Sequence, residues 1–282
     1  YGGMPKLNLK NPEVEKYITD VACYWIKECD IDGWRLDVGD EISHFFWKNF
    51  RKAVKAVKKD MLIIGEIWHY AGDFLEGDEW DTVMNYPFYL NLIDLLADEK
   101  ITVSQFVQNL GYLKGRLHKN CYPLMWNLID SHDTARFLHL CNDNKKKQHL
   151  AAAFQLLLPG MPMIYYGDEY AMPGANDPDC RRGMYWDEEY QDKEMYEWYK
   201  RLIQVRKSHA CIVEGELAGS VTEDEEGTIV LIRKNGEETI AMIFNCSSSA
   251  KKFNEYTQKY NLLTENTFDG NVEGFDAAVI VL

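Results

Sequence analysis

No run of roughly 18 apolar residues, the length a membrane-spanning helix needs, occurs in the sequence. The nearest approach, residues 151–166, is broken by Gln155, Pro159, Gly160 and Pro162. No membrane partner is therefore expected. Basic residues are too few for a polyphosphate partner: 31 Lys and Arg stand against 45 Asp and Glu, a net charge of −14. Proteins that bind nucleic acid carry basic patches, so none is expected as a partner here. The seven cysteines form no C-x-x-C pair and are odd in number, which excludes a zinc ribbon and argues against a disulfide framework. A reducing, cytoplasmic compartment is the expectation. Tyr1-Gly2-Gly3 shows no signal-peptide pattern, and Gly2-Gly3 precedes no helix that would make a phosphate cradle. H-E-x-x-H and G-x-S-x-G are also missing. No metal and no cofactor is expected.

What is present is enough apolar sequence for a sizeable core. Hydrophobic residues make up 46% and charged residues 27% of 282, which excludes global disorder and suggests one large domain and a smaller one. Asn11-Pro12-Glu13 reads as an N-cap, a proline at the first helical position and an acidic first turn. Val14, Ile18, Val21, Ala22, Trp25, Ile26 and Cys29 then recur at helical spacing, which predicts one buried face. Residues 33–38 (GWRLDV) predict a strand, Ser43 a cap for the next helix, and residues 61–67 (MLIIGEI) a fully buried strand. Further strands are expected at 81–85, 124–131 and 161–167, and helices at 88–98, 104–118, 145–158 and 194–209. Strands alternating with helices imply a parallel sheet, here of about five strands. After Cys211 the period becomes two, and Asn235-Gly236 suits a tight hairpin. The expected division is residues 1–210, strands alternating with helices, and 211–282, a small antiparallel β domain.

Three acids stand where strands end: Asp37 in GWRLDV, Glu66 in LIIGE and Asp133 after NLIDSH. Alone, each could be a helix cap. Together they mark the carboxyl ends of parallel strands, the face where such folds build active sites. Carboxylates grouped on a low-dielectric face differ in proton affinity, giving one proton donor and one ionised partner. Glycosidic bond cleavage uses that pair: one carboxylic acid protonates the leaving oxygen and the other attacks the anomeric carbon or activates water. Trp34, Trp68, Tyr70, Tyr86 and Phe88 lie beside these acids and could stack on sugar rings, although aromatic clusters are more often core.

Rival chemistries fit less well. Ser131-His132-Asp133 has triad residue types, but neighbours on an extended chain point to opposite faces. Residues 30–41 begin like a calcium loop, yet Trp34 and Arg35 occupy its fifth and sixth positions, where an oxygen ligand and glycine are needed. Lys145-Lys146-Lys147 reads as a solvated helix start.

GWRLDV around Asp37, GEIW around Glu66 and the SHD of residues 131–133 resemble three signature regions of glycoside hydrolase family thirteen, the α-amylase family, in the same order. Residues 4–8 (MPKLN), 84–88 (MNYPF) and 176–187 (NDPDCRRGMYWD) are similar to its cyclomaltodextrinase, neopullulanase and maltogenic amylase subgroup. The resemblance implies the C-terminal part of a (β/α)8 TIM barrel followed by a small antiparallel β-sandwich domain. It implies Asp37 as nucleophile, Glu66 as general acid/base and Asp133 as transition-state stabiliser. Arg35, on the same strand face as Asp37, would orient that carboxylate. His132 would bind sugar hydroxyls, Trp68 would border the leaving-group side, and Asp177 with Arg181 the glycone side.

The implied activity is retaining hydrolysis of α-1,4-glucosidic bonds in cyclodextrins, maltooligosaccharides, starch or pullulan. Relative to the family, the chain begins after the third barrel strand, so self-association or pairing with an N-terminal half is expected. The competing readings are a non-catalytic carbohydrate-binding fragment with vestigial acids and a metal-dependent hydrolase; the lack of strand-end histidine pairs disfavours the second.

Overall fold

The computed structural model describes residues 3–118 and 120–282. Tyr1 and Gly2, on which the leader and phosphate-cradle readings partly fall, lie outside the described residues. The chain forms two compact units, Tyr1–Asn85 with Gly115–Met125, and Tyr86–Lys114 with Trp126–Leu282.

The first unit opens with helix α1 (Pro12–Cys29), then strand β1 (Gly33–Leu36), helix α2 (His44–Val57) and strands β2 (Leu62–Gly65) and β3 (Thr82–Val83). Asn11 caps α1 by accepting the N–H of Glu13 at 2.9 Å. Ser43 caps α2 through the N–H of Phe46. The strands pair in parallel in the order β1-β2-β3, with Gly33 opposite Leu62 and Ile64 opposite Thr82. Helix α2 buries Phe46, Trp47, Phe50 and Val54, and the Trp47 indole N–H is donated to the Gly39 carbonyl.

Two expectations change here. Only Ala22 and Ile26 of α1 are buried, whereas Val21, Trp25 and Cys29 are exposed together with Tyr17 and Tyr24. The helix packs on α2, and its apolar stripe is wider than that contact covers. The first two strands are also shorter than expected, and the first ends where Val38 takes a left-handed φ of 44°. Asp37 and Glu66 accordingly lie just beyond the strands, on the turns that leave them.

The second unit contains α3 (Tyr86–Leu92), continued by a π turn at Ile93–Ala97, most of α4 (Val103–Arg116), β4 (Trp126–Asn127), α5 (Phe137–Leu140), α6 (Lys145–Leu157), β5 (Met161–Pro162), α7 (Lys193–Ser208) and α8 (Ala210–Glu214). Strands β4 and β5 pair in parallel over two residues each, not over the longer spans expected. Pro162 offers no N–H to a ladder. The Asn127 carbonyl accepts the Met163 N–H across the pair at 2.8 Å, and the side-chain amide of Gln155 takes the Met163 carbonyl at 2.7 Å.

The antiparallel part comprises β6 (Glu216–Glu223), β7 (Thr228–Asn235), β8 (Glu238–Asn245), β9 (Lys251–Lys252), β10 (Tyr260–Asn261), β11 (Asn266–Thr267), β12 (Asn271–Val272) and β13 (Asp276–Val281). Six of these form one sheet in the order β11-β10-β13-β8-β7-β6, and β9 pairs with β12. Alternation along the strands buries both faces. Ile229, Leu231, Met242, Phe244 and Val279 share a core with α6, where Phe154 stacks on Phe244 at 4.3 Å. Val230, Ile243 and Ile280 pack on Phe253, Phe268 and Val272. At the hairpin Asn235 still pairs with Glu238, so the central residues are Gly236 and Glu237, and Gly236 alone takes positive φ (60°). That is a turn with glycine at its first central position, not the two-residue Asn-Gly turn expected. Among the described residues no helix is long and apolar enough to cross a membrane.

Candidate active site

In the first unit Arg35, on β1, touches two of the three acids. Its Nη1 donates to Asp37 Oδ1 at 2.5 Å, and its Nη2 forms an ion pair with Glu66 Oε1 at 2.8 Å. The second oxygen of Glu66 accepts the backbone N–H of Val38 at 2.8 Å. Glu66 is buried, while the Asp37 side chain is 77% exposed. The arrangement follows from local geometry: residues i and i+2 of a strand project to one face, so Arg35 and Asp37 can meet. Parallel pairing of Leu36 with Gly65 then brings Glu66 alongside. A β-branched residue in the left-handed region is strained, and Val38 is held there with its N–H on Glu66. Trp68, two residues beyond Glu66, is 41% exposed, and His69 Nε2 lies 3.1 Å from Asp40 Oδ2.

In the second unit four of the expected residues meet. His132 Nε2 lies 3.0 Å from Asp133 Oδ2, Arg181 Nη2 donates to Asp133 Oδ1 at 3.1 Å, and Arg181 Nε reaches Asp177 Oδ1 at 2.7 Å. Arg181 thus links Asp133 to Asp177, as Arg35 links Asp37 to Glu66. The turn that carries Asp133 is held from below. Its N–H is donated to Ser131 Oγ at 3.2 Å, Tyr86 Oη reaches the same hydroxyl at 3.1 Å, and the Cys180 thiol donates to the His132 carbonyl.

No sequence motif marks the Val38 N–H, Trp80 or the buried residues Asp130, Arg136 and Asp168. The one signal available was an acid inside the apolar run NLIDSH, where a charge has no solvent.

With this geometry the chain can be placed among known proteins. It belongs to the α-amylase family: the model of the alpha amylase catalytic domain matches residues 1–215. Within that family, a cyclomaltodextrinase of Geobacillus thermopakistaniensis (strain MAS1) is 47% identical over 247 residues, which are 88% of this chain and 42% of that protein. Neopullulanase 2 of Thermoactinomyces vulgaris is 42% identical over 242 residues, 86% of this chain and 41% of that protein. A solved cyclomaltodextrinase superposes with a TM-score of 0.92 at 35% identity, covering 98% of this chain and 50% of that one. The chain therefore spans less than half the length of these curated relatives, and the resemblance carried by its motifs holds.

Proposed function

We propose that the chain is the C-terminal part of a retaining glycoside hydrolase that cuts α-1,4-glucosidic bonds in cyclodextrins, maltooligosaccharides, starch or pullulan. The observation that carries this reading is the Arg35 bridge between an exposed Asp37 and a buried Glu66. Two carboxyl groups of unequal exposure, joined by one cation, have the asymmetry that the two roles require. The names of the relatives support the substrate class. Residues 1–210 are proposed as part of the (β/α)8 barrel and 211–282 as the C-terminal β domain. A cytoplasmic location is proposed from the seven free cysteines and from the similarity to an intracellular maltogenic amylase of Bacillus subtilis.

In this mechanism an Asp37 carboxylate oxygen attacks the anomeric carbon while a proton on Glu66 passes to the departing glycosidic oxygen. The products are a glycosyl ester on Asp37 and a free sugar. Water then attacks the anomeric carbon, gives a proton to Glu66 and breaks the bond to the Asp37 oxygen, so that Asp37 leaves as a carboxylate and configuration is retained. One oxygen of Glu66 accepts the Val38 N–H and the other is ion-paired with Arg35, which suits the step that deprotonates water. For the first step the proton must replace one of those donors, and the Arg35 contact on Oε1 is the one able to shift towards Asp37. Asp133, held by His132 and Arg181, is the proposed transition-state stabiliser; Trp68 borders the leaving sugar, and Asp177 and Arg181 the glycone.

The test is hydrolysis of a cyclodextrin by the full-length protein, with the product anomer followed by NMR. The α anomer should appear first, and Asp37→Asn should abolish turnover. A β product, or glucan binding without turnover in the intact protein, would overturn the proposal.

A further inference from the structure

Helix α2 carries His44 and the cations Lys48, Arg51 and Lys55, spaced four, three and four apart and so on one face. That face meets the end of segment 66–81, which runs from Glu66 past Trp68 to β3. Lys48 Nζ lies 2.7 Å from Asp78 Oδ2, and His44 Nδ1 lies 2.9 Å from both carboxyl oxygens of Glu79. Arg51 Nη1 donates to the Glu79 carbonyl at 3.1 Å and to Asp81 Oδ1 at 2.7 Å; Lys55 Nζ donates to Asp81 Oδ2 at 2.9 Å. These contacts are not of equal weight. Lys48 and Asp78 are half exposed, and an ion pair of that kind contributes little. Asp81 also accepts the N–H of Ile63, so its contacts fix the start of β3. Glu79 is 2% exposed, and a carboxyl buried to that extent costs free energy unless it is bonded. Burial pushes that carboxyl up, and the His44 contact opposes the rise.

Between Glu79 and Asp81 stands Trp80, whose indole N–H is buried without an acceptor among the described residues. The ring is therefore held by packing and by its tied neighbours. Phe74 stacks on it with ring planes 7° apart, and His44 stacks on Phe74 with centroids 4.4 Å apart. The backbone N–H of Trp80 is donated to the Phe74 carbonyl at 3.1 Å. Trp47 of α2 meets the indole edge-on, with centroids 5.9 Å apart. The indole in turn lies so close to Gly39 and Gly65 that neither position could carry a Cβ. Gly65 is followed by Glu66, whose own N–H is donated to the Leu36 carbonyl at 2.9 Å. His44 thus reaches Glu79 through a ring nitrogen and Phe74 through its ring face, and the link ends on the backbone beside Glu66.

We propose that His44 and Glu79 are positioning residues: their contact holds Trp80 against Gly65 and so sets where Glu66 presents its carboxyl to the glycosidic oxygen. The proposal rests on the acid/base role assigned above to Glu66. Close-packed interiors have few voids, so a shift of one ring is passed to the next. Without the His44 contact the Glu79 carboxyl turns to water, segment 66–81 loosens at its end, and the indole no longer presses on Gly65. Glu66 then keeps its carboxyl but not its placement, and the step that suffers is proton transfer to a poor leaving group. Both residues act through Trp80 and not on the reacting atoms.

The experiment compares kcat/KM on a cyclodextrin and on an aryl maltoside with an acidic phenol leaving group, together with Tm, for the full-length protein and its variants. On both substrates kcat/KM covers the steps through the first bond cleavage. Glu79→Ala removes the tie, and Glu79→Gln keeps an acceptor for His44. A displacement of about 1 Å costs up to about 100-fold, so Glu79→Ala should lower kcat/KM on cyclodextrin by about 10- to 100-fold. On the aryl maltoside, which needs little protonation, the loss should stay within about threefold. A merely destabilised enzyme would lose both in proportion. Glu79→Gln should recover most of the cyclodextrin rate. The Tm losses of His44→Ala and Gly65→Ala should be non-additive, a readout that needs no activity, because the two positions are linked through Phe74 and Trp80. Equal losses on both substrates, or a lowered Tm with unchanged kcat/KM, would overturn the positioning role. A Gln variant as impaired as the Ala variant would overturn the His44 contact as its source, and additive Tm losses would overturn the link to Gly65. Absence of glucan hydrolysis in the wild type would instead overturn the functional reading, leaving the Tm comparison to decide the link.

Discussion

Trp80 fills the space that a side chain on Gly65 would need: a Cβ built there would come within 2.2 Å of the indole. The same ring would meet a Cβ on Gly39 at 2.7 Å, and it stacks on Phe74 with centroids 4.1 Å apart. Two glycines therefore let a fully buried tryptophan press against the backbone beside Glu66, with the Gly39 N–H donated to the Glu66 carbonyl at 3.1 Å.

Gly65→Ala should then both destabilise the protein and move Glu66. Overpacking of this kind costs about 1–3 kcal/mol. A matching fall in Tm with a loss of kcat larger than that of a remote variant of equal stability is the expected outcome, measured by calorimetry and cyclodextrin hydrolysis. Wild-type stability and activity would show that the indole shifts freely.

Glu66→Gln should separate substrates by leaving group. The variant cannot supply a proton, so cyclodextrins and maltooligosaccharides should slow by roughly 100-fold or more, the size of general acid catalysis. Aryl glycosides with acidic phenol leaving groups need little protonation in the first step and should suffer less. Similar rates for wild type and variant on both substrate types would remove Glu66 from its role.

Trp68→Ala should alter specificity more than stability. The side chain is 41% exposed, so truncation removes little core packing. A flat ring two residues after the proposed acid/base can stack on the departing sugar or obstruct a branched one. Product ratios from pullulan and maltotriose should shift between α-1,4 and α-1,6 cleavage, and constant ratios would contradict the placement.

The 282-residue chain by itself should not be an active monomer. Tyr17, Tyr24 and Trp25 of α1 are 65%, 53% and 45% exposed, an apolar surface of the kind that draws partners. Light scattering should report self-association, and cyclodextrin turnover should be absent or very slow. A monodisperse monomer working at ordinary enzymatic rates would refute this expectation.

Asn11, Ser43 and the helices they cap were legible because a cap needs only backbone groups two or three residues away. Asp37, Glu66 and Asp133 were legible for a related reason: apolar runs mark strands, and an acid at the end of such a run stands out. The Asp37–Arg35 contact followed from strand alternation. The strand ends were harder to read, since Val38 entering the left-handed region and Gln155 taking the Met163 carbonyl involve groups outside the strands themselves.

What the sequence by itself determined is therefore local: caps, periodicity, the alternation that pairs Arg35 with Asp37, and the motifs that place the chain in its family. Tertiary structure decided which apolar residues of α1 stay exposed and that Trp80 lies against Gly65. It also decided that Arg136 meets Asp168 in the buried interior. The reason is physical. Periodicity and capping are satisfied within a few residues, whereas the energy of a buried charge or a packed ring depends on groups that only the folded chain brings near.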